Sequence, residues 1–242
     1  WEYPTPQGAS LNGVWIAPDQ TTYAVGAAGS ILRNDGTQWS SLNSGTRKLL
    51  NAVWGTSNSD VWTVGDGVVL HWNGAAWISS TIPVIDYYNS VWGSSATDVW
   101  TVGNNGTILH YDGVNWKKDP YTTSVRLAAV WGSSMNDVWI VGSDGTALHN
   151  TGTGWTPTDA MTRETFRGLS GTGPGDVWAV GNVVRRWNGT QWVVAEKGLS
   201  SPIYISAVWA SGANTVWGTS GQGNILRWNG SQWAVAATLS PN

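Results

Sequence analysis

Cysteine is absent from the 242 residues, and with it go every disulfide framework, every thiolate metal site and every thiol nucleophile. Charge is scarce. Twelve Lys and Arg stand against 15 Asp and Glu, a net of -3, so no basic stripe exists to neutralise a phosphate backbone, and nucleic acid is excluded as a partner. No apolar run approaches the roughly 20 residues of a membrane-spanning helix, which argues against membrane insertion. No segment of useful length carries an apolar stripe at helical period. In their place stand 31 Gly, 20 Trp and a 41% hydrophobic content, enough to bury a core and to exclude disorder. The low charge, the richness in Gly, Ser, Thr and Asn, and a first residue that is Trp suit a bacterial protein that is secreted or displayed on the cell surface.

The tryptophans are periodic. Val53-Trp54-Gly55, Val91-Trp92-Gly93 and Val130-Trp131-Gly132 repeat one phrase, and Val14-Trp15, Leu169-Ser170-Gly171 and Val208-Trp209 are looser copies. The second residue of each copy, the anchor, falls at 15, 54, 92, 131, 170 and 209, in steps of 38 or 39. Within a unit the order of pieces is constant, as in Leu50-Asn51-Ala52-Val53-Trp54, Asp60-Val61-Trp62-Thr63-Val64-Gly65, Val69-Leu70-His71-Trp72 and Ala76-Trp77-Ile78. Each piece is short, rich in β-branched and aromatic residues and bounded by Gly, Asn, Asp or Ser, which reads as a strand. Asn73-Gly74, Asp112-Gly113, Asn188-Gly189 and Asn229-Gly230 read as type I′ hairpin turns. The expected fold is therefore all-β. It is a six-bladed β-propeller of one domain, with four antiparallel strands, A to D, per blade and a repeat of about 39 residues. Blades are expected at 9–45, 46–84, 85–122, 123–162, 163–200 and 201–242. Residues 1–8 form an extra strand-D-like segment, because Trp1 precedes Trp15 at nearly the spacing of a strand-D Trp from the next anchor.

Sixteen of the Trp sit at repeat positions: the anchors, strand B (Trp62, Trp100, Trp139, Trp178, Trp217, with Tyr23 in blade 1) and strand D (Trp39, Trp77, Trp116, Trp155, Trp192, Trp233). Six-fold recurrence of a large ring is a packing rule. Four positions before each anchor the residue is apolar and two before it small, and period two puts both on the face of the anchor. Asp60, Asp98, Asp137 and Asp176 open strand B, with Thr21 and Thr215 in the outer blades. His71, His110, His149, Arg186, Arg33 and Arg227 follow in strand C. These pairs are expected to tie the B–C hairpin of every blade. Catalysis wants one special site rather than six near-copies, and one imidazole per blade is too dispersed for a metal. No catalytic constellation, metal site or cofactor motif is found, and Asn105, Asn188 and Asn229 in glycan-acceptor sequons read as turn chemistry.

Variation between blades points to binding. The links into strand A carry Tyr87, Tyr88, Tyr121, Arg126, Arg163 and Tyr204, and strand C carries Trp72, Tyr111, Trp187 and Trp228 where Asn34 and Asn150 stand in other blades. Exposed rings and guanidinium groups recognise sugars or peptides, and these ten residues are the candidate ligand site. The run from Asp98 to Trp116 resembles the B–C–D part of tectonin-type propeller repeats, many of which are lectins. Asp112-Gly113 and Trp116 also resemble the Asp box of sialidase-like propellers, though with a different spacing and without the arginine triad, Tyr and Glu of those enzymes. Strand A, with Val-Trp-Gly-Ser-Ser, is more similar to repeats of secreted bacterial proteins. The resemblance implies a non-catalytic carbohydrate-binding propeller with glycans as partners. The alternatives are a protein-interaction propeller of a larger surface protein and, furthest from the residues, a polysaccharide-active enzyme.

Overall fold

The computed structural model describes residues 9–239. Almost everything ordered in it is β-strand, grouped as six four-stranded antiparallel sheets in sequence order, the architecture of a six-bladed β-propeller. Two compact units, residues 1–124 and 125–242, hold three sheets each. In the first unit, blade 1 is β1 (Leu11–Ile16), β2 (Thr22–Gly26), β3 (Ile31–Asn34) and β4 (Trp39–Leu42). Blade 2 is β5 (Leu50–Ser57), β6 (Asp60–Gly65), β7 (Val68–Trp72) and β8 (Trp77–Ser79). Blade 3 is β9 (Tyr88–Ser95), β10 (Asp98–Gly103), β11 (Ile108–Tyr111) and β12 (Trp116–Lys118). In the second unit, blade 4 is β13 (Leu127–Ser134), β14 (Asp137–Gly142), β15 (Ala147–Asn150) and β16 (Trp155–Pro157). Blade 5 is β17 (Phe166–Gly173), β18 (Asp176–Gly181), β19 (Val184–Trp187) and β20 (Trp192–Val194). Blade 6 is β21 (Ile205–Gly212), β22 (Thr215–Ser220), β23 (Asn224–Trp228) and β24 (Trp233–Thr238). The segment 1–8 lies outside the described residues.

The core of each unit lies between consecutive sheets. Tyr23, Val25 and Ile31 of blade 1 meet Leu50, Val53, Leu70 and Trp77 of blade 2. Trp62, Val64 and Val69 of blade 2 meet Tyr88, Val91, Leu109 and Trp116 of blade 3. The second unit repeats this with Trp139 and Val141 against Phe166 and Trp192, and with Trp178 and Val180 against Ile205, Trp228 and Trp233. The strand-B ring of one blade thus meets the strand-D ring of the next nearly at right angles. Centroid separations are 5.4 Å for Trp62–Trp116, 5.3 Å for Trp139–Trp192 and 5.8 Å for Trp178–Trp233. Edge-to-face pairing sets the positive ring edge on the negative π face.

Two expectations change. The apolar residue four before the anchor does not share the anchor's face. A register shift between Leu50 and Ala52, repeated in every strand A, inserts an extra residue. That bulge reverses the parity of the pleat, so Leu50 packs on the preceding blade while Ala52 and Trp54 pack on the following one. The Asn-Gly pairs are not two-residue type I′ turns either. Trp72 pairs with Trp77 across a four-residue loop. Within the loop, Asn73 Oδ1 accepts the N–H groups of Ala75 and Ala76, and Gly74 alone takes positive φ, +90°.

The recurring phrase Trp-Gly has a steric cause. A Cβ on Gly93 would stand 2.6 Å from the Trp54 ring and 2.6 Å from the Asp98 carbonyl oxygen. Gly93→Ala should therefore cost about 1–3 kcal/mol, the range for overpacking, read as a lowered urea midpoint. Gly212→Ala, with open space around it, should leave the midpoint in place.

Candidate functional site

The expected Asp–His pairs are made, and they are larger than pairs. Nε2 of His71, His110 and His149 lies 2.6, 2.6 and 2.7 Å from Oδ1 of Asp60, Asp98 and Asp137. Each imidazole is stacked on the strand-B indole of its own blade, at 4.0 Å for Trp62, 3.9 Å for Trp100 and 3.8 Å for Trp139. The other carboxylate oxygen accepts a hydroxyl two residues after the anchor: Thr56 in blade 2, Ser94 at 2.5 Å in blade 3, Ser133 at 2.5 Å in blade 4. The indole N–H of Trp139 donates to Asp137 at 3.0 Å, and that of Trp178 to Asp176 at 3.0 Å. Blade 5 keeps the arrangement with Thr172 and with Arg186 Nε, 2.7 Å from Asp176. These groups lock strands A, B and C of one sheet together. The imidazoles are held on both sides, by a carboxylate and by a ring.

The outer blades depart from the pattern. With Thr21 in place of the Asp, the Arg33 Nε is buried without a hydrogen-bond partner, and Arg227 instead lies 5.5 Å over the Trp217 ring. The expected Thr–Arg tie is replaced because a hydroxyl offers neither the charge nor the second acceptor oxygen that holds a guanidinium.

Burial pulls the Asp60, Asp98 and Asp137 carboxyls upward, but the hydrogen bonds from His and Ser or Thr outweigh it and hold all three below the usual value of 3.8. A carboxyl depressed in the folded state stabilises fully above its unfolded value, and that contribution is lost as pH falls through the folded one. Thermal stability should therefore hold down to about pH 4 and fall progressively below it. In His149→Gln the decline below pH 4 should be shallower, a comparison that differential scanning calorimetry reads directly.

The ten candidate ligand residues separate sharply. Trp72, Tyr111, Trp187 and Trp228 belong to the inter-blade ring clusters. Tyr111 is 4.9 Å from Trp62, Trp187 is 4.9 Å from Trp139, and Trp228 is 5.2 Å from Trp178 and only 7% exposed. Trp72 is 5.7 Å from Trp77 and donates its indole N–H to Asn58 O at 3.1 Å. Tyr88 is fully buried and donates to Val84 O, and burial together with the Asp86 charge pushes its hydroxyl up. Neither Tyr88 nor Trp228 can offer a ring face to a ligand in this geometry.

The remainder lie in the links. Tyr87 is half-buried over Asn51, whose Oδ1 accepts its hydroxyl at 3.3 Å. Its backbone is fixed by the buried Asp86, which also accepts both the backbone N–H and the side-chain amide of Asn105. Tyr121 is half-buried, with its N–H on Asp119. Arg126 is half-buried, with its carbonyl accepting Ser143 N–H, and Arg163 is exposed.

Tyr204 stands apart, 46% exposed, with the Arg167 guanidinium 4.6 Å over its ring. It borders a cavity of about 180 Å³ at the entry to blade 6. The apolar lining is Leu199, Ile203, Ile205, Leu226 and Val235, and the polar lining is Ser200, Ser220, Gln222 and Asn224. Ser220 Oγ accepts the N–H groups of Gln222 and Asn224 and so shapes the B–C turn beneath the opening. The sequence pointed to Tyr204 but not to the cavity, which is assembled from a link, a turn and β24.

Among the described residues no group of three His, Asp or Glu stands close enough to hold a metal ion, and no helix is long and apolar enough to cross a membrane. No known family's sequence pattern matches the chain, and no curated protein matches it. Solved structures do. Virginiamycin B lyase from Staphylococcus aureus superposes with a TM-score of 0.85 at 14% identity, over 98% of this chain and 87% of the other. YCF48 from Cyanidioschyzon merolae gives 0.73 at 17% identity, over 98% and 90%. A structure of YCF48 bound to D1 peptide gives 0.73 at 18% identity, over 96% and 83%. At such identities the similarity establishes the propeller fold.

Proposed function

We propose that this chain is a non-catalytic recognition propeller that binds a partner protein through an extended peptide segment, one apolar side chain of which enters the cavity beside Tyr204. The observation that carries this reading is the cavity itself. Its lining combines Leu199, Ile203, Ile205, Leu226 and Val235 with Tyr204, Ser220, Gln222 and Asn224, hydrogen-bonding groups suited to the amides of a bound backbone. Its volume, about 180 Å³, suits one aliphatic or aromatic side chain better than an oligosaccharide. The similarity in fold to a propeller solved with a bound peptide supports the reading.

Glycan binding is the second reading. It is favoured by the exposed Tyr204 ring with Arg167 beside it, a pair able to stack on a pyranose and bond its hydroxyls. A random peptide library and a glycan array, probed with the same labelled protein, separate the two. Selected peptides should share one apolar position. Tyr204→Ala should weaken them about tenfold, the scale of a buried interface anchor, while Tyr121→Ala leaves them unchanged. Glycan hits without peptide hits transfer the conclusion to the second reading. Silence on both overturns recognition at this cavity.

A further inference from the structure

Three residues before the anchor, strand A carries Asn12, Asn51 and Asn89 in the first unit and Ala128, Arg167 and Ser206 in the second. Outside blade 5 this place holds nothing longer than an amide side chain, and Asn12 and Asn51 reach only to the next strand A. Arg167 reaches further. Its guanidinium carbon lies 4.6 Å from the centre of the Tyr204 ring, beside the cavity that Tyr204 borders. Arg167 and Tyr204 both belong to the second unit, on blade 5 and on the link into blade 6.

The charge is fixed there but not neutralised. The other two arginines on the strands of blade 5 each meet a carboxylate: Arg185 Nη1 lies 2.5 Å from Glu196 Oε1, and Arg186 Nε 2.7 Å from Asp176 Oδ1. Arg167 has no ion pair among the described residues. Its Nη2 donates to Asn182 Oδ1 at 3.3 Å, and Asn182 Nδ2 donates to Glu164 Oε2 at 3.1 Å. A neutral amide thus stands between the guanidinium and the carboxylate of the link. Arg167 Nε is buried without a hydrogen-bond partner. A half-buried guanidinium held over a ring, with most of its donors unused, is preorganised for an anionic group.

Resting on the reading of this cavity as a peptide site, we infer that the bound segment carries an Asp or Glu two positions from the apolar side chain in the cavity, and that this carboxylate pairs with Arg167. Alternate side chains of an extended segment share a face about 6–7 Å apart, which carries the second of them past the Tyr204 ring to the guanidinium. A chain terminus is the poorer match. Capture of a terminal carboxylate uses free backbone N–H groups. Here those of Gln222 and Asn224 are taken by Ser220 Oγ, and that of Gly223 by Ser220 O.

The test uses two libraries of acetylated, amidated nonapeptides, random except at the fifth position, which is leucine in one and glycine in the other. The 242-residue chain should retain the leucine library over the glycine library, with Asp or Glu enriched about tenfold at position three or seven, the scale of a charge-assisted hydrogen bond. Arg167→Gln should abolish that enrichment and keep the preference for leucine, and Arg167→Glu should enrich Lys or Arg at the same position. Leucine peptides retained without a charge preference, or an acid preference that survives Arg167→Gln, overturn the inference and leave the peptide reading standing. So does loss of the leucine preference in both variants, which makes Arg167 a support of the cavity. A leucine library retained no better than the glycine one overturns both. A third library ends in leucine with a free carboxylate. Its retention above the capped leucine library, dependent on Arg167, assigns the guanidinium to a chain terminus and overturns the inference.

Discussion

Trp139→Ala is expected to cost about 3–5 kcal/mol, the range for removing a buried aromatic side chain from a core, and to lower Tm by about 10 °C or more. The ring is fully buried and touches three others: His149 stacked at 3.8 Å, Trp192 edge-on at 5.3 Å and Trp187 at 4.9 Å. Alanine would leave a void between two sheets, each stiffened by its own hydrogen-bond ladder, so that the backbone fills it only in part. It would also remove the N–H that donates to Asp137. Trp139→Phe separates the two losses. A phenyl ring keeps the stack and most of the volume and loses the indole donor, so it should cost less than half as much. Trp39→Ala, in a half-buried ring at the edge of blade 1, should cost less than either. If Trp139→Ala and Trp39→Ala shift the urea midpoint equally, the ring clusters between sheets are not what holds the unit together.

The repeat made the fold legible. Six anchors at steps of 38 or 39 residues, each followed by the same order of strand-like pieces, leave little choice of architecture, and the sheets fall where those pieces do. What the period could not show is the bulge at Asn51 and its equivalents. A bulge changes which face a side chain takes without leaving a residue type behind, so period two alone puts Leu50 on the wrong side of its sheet. The hydroxyl in each Asp–His group was legible and was missed. Thr56, Ser94, Ser133 and Thr172 stand two residues after the anchor in the four blades that carry the Asp, whereas blade 1 has Ala17 there and blade 6, without the Asp, has Ser211. In blade 6 the Ser211 hydroxyl, with no carboxylate to meet, donates to Thr215 O at 3.3 Å.

The candidate ligand residues divide by a physical cause that sequence alone does not expose. A ring in strand C looks optional, because Asn34 and Asn150 occupy the same place, yet where a ring is present it completes a cluster with the neighbouring blade and is consumed by packing. The polar residues three before the anchor were also not singled out. Asn12 and Asn51 donate to the carbonyls of Leu50 and Tyr88 in the next strand A, at 2.9 and 2.7 Å, and so join inner strands that no ladder hydrogen bond connects. Tyr204 stays exposed for a local reason. Its neighbour Gly221 has no side chain, and a Cβ there would be 2.8 Å from the ring, so the turn makes room for the ring at the mouth of the cavity.

Arg185→Ala is expected to be as damaging as the loss of a core indole, about 2–5 kcal/mol, because it empties a buried place that the other five blades fill with leucine. Blade 5 holds this arginine where every other blade holds leucine (Leu32, Leu70, Leu109, Leu148 and Leu226), and it is 7% exposed. Its Nε donates to Ala160 O at 3.1 Å and its Nη1 to Val184 O at 3.0 Å. Nη1 also lies 2.5 Å from Glu196 Oε1, which accepts Val184 N–H at 3.1 Å. One side chain thus pins the link entering blade 5 to the end of its outer strand. Arg185→Leu behaves differently in this account. Leucine restores the packing of the other five blades, and Glu196, 27% exposed, can turn to water, so the cost should stay below about 1 kcal/mol. The double variant Arg185→Ala with Glu196→Ala should recover part of the single loss, since the orphaned carboxylate goes with its partner. Additive losses in that cycle, measured by urea unfolding, or an Arg185→Leu variant as unstable as Arg185→Ala, would show that the guanidinium contributes through its bonds to Ala160 and Val184 alone.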